Sequence, residues 1–209
     1  MQRSRPVSIL DKSLSKGKAE VNLSSFALLF AEMIRYAQNK VNSVEELQAK
    51  LAEYGRFVGV RLLDLIVLRE KSYKRDVKLL NMLMFVKVTV WKSLFNKEAD
   101  KLERSNDDPL TVWKSLFNKE ADKLERSNDD PCKYFLIEKD PLVNTYISLP
   151  KDNTKLNCAA FIAGIVEAFL TESNFPCKVS AHWHKGTAYM IEFDQEVIAR
   201  ENALLESNR

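Results

Sequence analysis

Phe26, Leu29, Phe30, Met33, Ile34 and Ala37 recur at steps of 3, 1, 3, 1 and 3, the apolar stripe of an amphipathic helix. Leu28 and Tyr36 broaden that stripe beyond one face. Ser43-Val44-Glu45-Glu46 is a capping box. The serine accepts a hydrogen bond from a first-turn amide and Glu46 reaches back. The stripe that follows is Leu47, Leu51, Tyr54, Val58, Leu62 and Ile66. Gly55 and Gly59 lie on an adjacent line one turn apart. Each glycine costs about 1 kcal/mol against alanine in a helix, so close approach of another helix is the expected compensation. A third helix is predicted from Asp76 to about Phe95. It is apolar nearly all round (Leu79, Leu80, Leu83, Phe85, Val86, Val90, Trp91, Leu94), which marks a central helix.

Beyond residue 131 the periodicity changes. "CKYFLIEKD" and "VNTYISLP" are short, aromatic and β-branched, and bounded by prolines, which predicts strands. "LNCAAFIAGIVEAFLTES" is helical, with Ala160, Gly164 and Ala168 on one face. "CKVSAHWHKGTAYMIEF" is a hairpin turning at Lys185-Gly186, and Gln195 to about Leu205 forms a short exposed helix. The expected class is α+β: helices packed on one face of a small antiparallel sheet of about four strands. Residues 1–20 are a flexible lead-in and 21–209 a single domain.

One stretch is written twice. "TVWKSLFNKEADKLERSNDDP" occupies Thr89–Pro109 and again Thr111–Pro131, separated by Leu110 alone. Packing selects volume and polarity, so old repeats drift at exposed positions such as Lys97 and Lys119. Perfect identity therefore indicates a recent tandem duplication or an error in assembling the coding sequence. One copy suffices both to finish the third helix and to lead into the Cys132 strand. The other is expected to be extruded as a surface helix or loop. Either Trp91, Leu94 and Phe95 or Trp113, Leu116 and Phe117 then lack a full burial site.

Composition narrows the class. The 209 residues carry 32 basic and 29 acidic side chains, a net charge of +3, too balanced for a nucleic-acid binder. Cys132, Cys158 and Cys177 are few and odd in number, with no CxxC pair, which favours a reducing cytosolic home. The first 20 residues have no continuous apolar core and are not a secretory signal. Leu79–Phe95 is interrupted by Asn81, Lys87 and Lys92, too short and charged for a typical bilayer span.

With the repeat collapsed to one copy, "VNLSSFALLFAEMI", "KEADKLERSNDD" and the run from Glu138 to Glu201 resemble the Bet-three-type small subunits of the TRAPP tethering complex. "NTYISLPKDNTKLNC" and "AHWHKGT" are the most specific parts, and the resemblance spans about residues 9–201 apart from the extra 22. It implies a Bet-three-type α/β fold that dimerises through its first two helices with a related subunit. It also implies an assembly that tethers vesicles between the endoplasmic reticulum and Golgi and promotes nucleotide exchange on a Rab-type GTPase. The chain would be a non-catalytic scaffold, cytoplasmic and peripheral to cis-Golgi and endoplasmic reticulum membranes, with no cofactor. Phe26, Leu29, Phe30, Met33, Ile34, Leu47, Leu51, Tyr54 and Val58 are the expected partner interface. A surplus apolar face on these helices is covered either by a partner or by the third helix of the same chain; the resemblance favours the partner. A paralogous subunit carries a fatty-acylated cysteine after its second helix. Here Lys71-Ser72-Tyr73-Lys74 stands there, so acylation at that place is not expected. The competing reading is a carrier of a small acyl-type ligand enclosed by the apolar helices.

Candidate chemistry is sparse. His182 and His184 share a strand face. A two-residue turn would set Tyr189 opposite His182 and Thr187 opposite His184, neither a preferred zinc ligand, so no metal site is expected. Cys158 opens an alanine-rich helix as a small buried residue, and Cys177, after Pro176 at a strand start, is structural and not nucleophilic. No Gly-rich phosphate loop, Ser/His/Asp signature or HExxH motif is present. Asp107-Asp108 are solvated turn formers. "KSYKR" at 71–75 is an exposed loop with at most a weak contact to anionic membrane or an acidic partner.

Overall fold

A computed structural model describes residues 21–70, 77–95, 99, 101–104, 132–148, 155–183 and 186–207. Helix α1 (Leu23–Gln38) starts at Asn22, whose side chain accepts from the Ser24 amide at 3.1 Å. Helix α2 (Val44–Glu70) opens on the predicted capping box. Ser43 Oγ accepts from the Glu46 amide at 3.1 Å, but Glu46 reaches back to the amide of Asn42, one residue beyond the serine, at 2.9 Å. Helix α3 (Leu79–Phe85) passes through a π-helical turn (Val86–Val90) into α4 (Trp91–Phe95). The π turn falls on Val-Lys-Val-Thr-Val, where β-branched side chains crowd an α-helix.

Among the described residues the four strands are β1 (Lys101–Arg104), β2 (Lys133–Glu138), β3 (Cys177–Trp183) and β4 (Thr187–Phe193), antiparallel in the order β1-β2-β4-β3. The expected number is met with a different member. Over its described residues, Val143 to Ser148, the stretch predicted as the second strand forms none. Its opening forms the short helix α5 (Leu142–Thr145), where Thr145 Oγ1 donates to the Pro141 carbonyl and Asn144 Nδ2 to Asn157 Oδ1. These side-chain bonds, one local and one to Asn157, outweigh the β-propensity of the segment. The missing strand comes from the first copy of the repeat, with Lys101 opposite Ile137 and Arg104 opposite Tyr134. The hairpin also differs by one residue: His182 faces Ala188 and Trp183 faces Thr187. Gly186 takes φ +118°, and a Cβ there would meet the carbonyl oxygens of Lys139 and Glu138, so only glycine closes this turn.

The central helix is α6 (Ala160–Glu172), not the third helix. Every residue from Ala160 to Leu170 is buried, because α2 covers one side and β3 the other. The helix α3 keeps an open side, with Val77 preceding it and Leu80 and Met84 on it exposed. Gly55 and Gly59 allow α2 to lie directly on α6: a Cβ on Gly55 would strike the Phe161 carbonyl oxygen, and one on Gly59 the Ile165 carbonyl oxygen. From the other side a Cβ on Gly164 would strike the Ala52 carbonyl oxygen. Helix α7 (Gln195–Ser207) closes the domain, seating Val197 and Ile198 in the core.

Trp91, near the start of the first copy, is fully buried, with its ring 5.5 Å from that of Tyr189. Leu94 and Phe95 are partly buried against the same core. The first copy thus fills the core site; the second copy, with Trp113, Leu116 and Phe117, lies outside the described residues, as do residues 1–20 and 71–76.

Candidate partner interface

The outer sides of α1 and α2 form an open apolar groove of about 480 Å³ lined by Leu29, Glu32, Met33, Tyr36, Tyr54 and Phe57. Leu29 is 63% exposed and Phe57 58%. Charged side chains rim it. Lys40 lies 4.4 Å from the Tyr36 ring centroid, and Lys50 lies 5.6 Å from that of Tyr54 while contacting Glu53 at 2.6 Å. The hydrogen bond and charge of Lys40 lower the Tyr36 pKa, and the Glu53 contact raises that of Lys50. An apolar floor with a charged rim is the usual make-up of a protein-binding surface.

The nine residues expected at an interface divide into three groups. Phe30, Ile34, Leu47 and Leu51 face inward and are part of the chain's own core. Phe26, Met33 and Tyr54 are half-buried, and Leu29 and Val58 are exposed. Phe57 was not among the nine. Its signal was a large aromatic lying off the Tyr54–Val58 stripe, where helical period points it toward solvent.

Elsewhere on α2, Glu167 of α6 ties three elements together. Its Oε1 meets Arg56 Nε of α2 at 2.7 Å, and its Oε2 accepts from the Val179 amide of β3 at 2.9 Å. Val179 lies on an outer strand, so this carboxylate also closes part of an exposed sheet edge. His182 shares a 2.8 Å hydrogen bond with Ser180 Oγ, and burial lowers its pKa. His184 lies outside the described residues. No group of three metal-ligating side chains occurs among the described residues, and no helix among them is long and apolar enough to cross a membrane.

The model of the transport protein particle (TRAPP) component family matches residues 26–112 and again 109–194. The chain belongs to the TRAPP component family. The two matched stretches meet at residues 109–112, the junction of the duplicated copies, as expected for one domain interrupted by an inserted repeat. Trafficking protein particle complex subunit 5 of Homo sapiens is 51% identical over 196 residues, covering 94% of this chain and 93% of that one. The subunit 5 of Dictyostelium discoideum is 44% identical over 204 residues, covering 93% and 97%. Among TRAPP structures, a subunit 3 from Naegleria fowleri covalently bound to palmitic acid superposes with a TM-score of 0.64 at 10% identity, covering 83% of this chain and 95% of that one. At that identity the likeness establishes the α+β fold alone. Membership of the TRAPP family gives the chain a role as a subunit of a trafficking complex, alongside other TRAPP subunits.

Proposed function

We propose that this chain is a non-catalytic scaffold that pairs with a Bet-three-type subunit through α1 and α2, within an assembly tethering vesicles between endoplasmic reticulum and Golgi. Nucleotide exchange on a Rab-type GTPase is then a property of the assembly, to which this chain contributes shape and partner contacts. Its place is cytoplasmic, peripheral to those membranes. The observation that carries the reading is the α1–α2 groove: Leu29, Tyr36 and Phe57 are exposed while the core behind them is already filled. The interface consists of the outward members of the expected set, Leu29, Met33, Tyr54 and Val58, joined by Tyr36 and Phe57.

The groove is open along its length and lies between two helices that already pack on each other. That form suits a partner helix better than an enclosed acyl chain. Co-expression with a Bet-three-type subunit, followed by size exclusion and native mass spectrometry, tests the reading. A one-to-one heterodimer is the expected result. A chain that stays a stable monomer beside that subunit, or that carries a lipid mass in its place, would overturn it.

A further inference from the structure

Strand β1 belongs to the first copy of the repeat, and the hexapeptide containing it, Ala99-Asp100-Lys101-Leu102-Glu103-Arg104, recurs letter for letter as Ala121–Arg126. We propose that the outer position on β2 is a slot for which these two hexapeptides compete, so that the folded protein exchanges one for the other.

The contacts that define the slot do not distinguish the copies. β1 is held by its antiparallel ladder, Lys101 opposite Ile137 through Arg104 opposite Tyr134. Ahead of it Ala99 is buried, and its amide donates to the Lys87 carbonyl at 3.2 Å. Every atom making these contacts has a counterpart in the second hexapeptide.

The helical half of the repeat is different. Trp91 follows Val90 in a helical run unbroken from Leu79. Seating Trp113 in its place would loop residues 89–110 out of the middle of that run and sever its hydrogen bonds. The helix is therefore committed to the first copy, and the strand is not.

Chain connection leaves the choice open. With the first hexapeptide seated, the connections are residues 96–98 and 105–132; with the second seated, they are 96–120 and 127–132. Each arrangement has one short and one long connection. Closure cost grows only with the logarithm of loop length, so the two differ by roughly two- to threefold in population. The slot is outermost in the sheet, so exchange breaks a single ladder and leaves β2, β4 and β3 paired.

Paired prolines test this in the full chain, because adjacent residues of a strand point their amides to opposite sides and one of the two must fall on the ladder. The variants are L102P/E103P, L124P/E125P and their combination. The readout is hydrogen exchange of the β2 amides, Lys133–Glu138, with the melting midpoint beside it. Either pair alone is expected to leave β2 protection within about threefold of the parent, and the combination to lower it tenfold or more. If L102P/E103P alone removes as much protection as the combination, the slot belongs to the first copy and the proposal fails. If the combination does not fold, the L102P/E103P variant still decides, by keeping or losing protection at β2.

Discussion

Gly55 of α2 and the carbonyl oxygen of Phe161 in α6 stand so close that no Cβ fits between them. The contact is with backbone, which cannot rotate aside. Gly55→Ala therefore forces the helices apart, outweighing the roughly 1 kcal/mol gained in helix propensity. We expect a net loss of about 2 kcal/mol, in the range of other overpacked cores, and a lowered midpoint in thermal unfolding. An unchanged or raised midpoint would contradict the geometry.

Glu167 makes a second prediction, on the same joint. Replacing it with alanine leaves the Val179 amide buried without an acceptor and strands Arg56. Arg56 is half-exposed, so the ion pair adds little and the lost acceptor dominates, for about 2 kcal/mol in urea unfolding. Glu167→Gln keeps an oxygen for Val179 and should cost clearly less. Equal losses in the two variants would mean that charge, not the hydrogen bond, matters there.

On the groove, Leu29→Asp and Phe57→Asp should abolish co-elution with a Bet-three-type subunit. Both side chains are exposed, so stability of the chain itself should change by no more than about 0.5 kcal/mol. Phe30→Asp is the contrast. Its site is in the core, its ring 5.3 Å from Phe161, and it should prevent folding outright.

The buried thiols set an alkaline limit. Burial pushes Cys158 from its ordinary value of 9.0 up to about 12, and Cys177 higher still, where the nearby carboxylates Glu167 and Asp194 add to the effect. The unfolded chain thus loses these protons first. The stabilising contribution is complete below about pH 9 and falls as pH rises toward 12. Urea midpoints measured at pH 8 and pH 10.5 should differ more in the parent than in a Cys158→Ala/Cys177→Ala variant. Alkylation of the native protein at pH 8 should spare both positions.

Deleting residues 110–131 restores one copy of the repeat and joins Pro109 directly to Cys132, the same junction that Pro131 now makes. Trp91 and β1 remain in place. Calorimetry should show a cooperative transition at the same or a higher temperature, since one long connection is removed. Loss of cooperative folding would show that the second copy has structural work of its own.

The sequence made some of these features legible and hid others for physical reasons. The glycines of α2 and the Ala160–Gly164–Ala168 face announced two helices in backbone contact, because only that contact compensates glycine's cost. The inward stripe of α1 and α2 was equally plain, but period alone does not say whether a neighbour belongs to the same chain. Hence Phe30, Ile34, Leu47 and Leu51 entered the expected interface although they face the core. The strand at Lys101–Arg104 carries no β signature. Lys-Leu-Glu-Arg favours a helix by propensity, and pairing with β2 overrides it. The segment after Pro141 erred in the opposite direction, its side-chain hydrogen bonds making a helical turn of a β-like composition. Among the described residues no feature of the chain's chemistry, as distinct from its shape, stood out as a reactive centre.

Helix α6 leaves evolution little room. With every residue from Ala160 to Leu170 buried, a change there must suit α2 and the sheet at once, so this segment is expected to vary least among paralogues. Divergence in the company each subunit keeps would then accumulate on the outward sides of α1 and α2, where a new side chain answers to a neighbour and not to the interior.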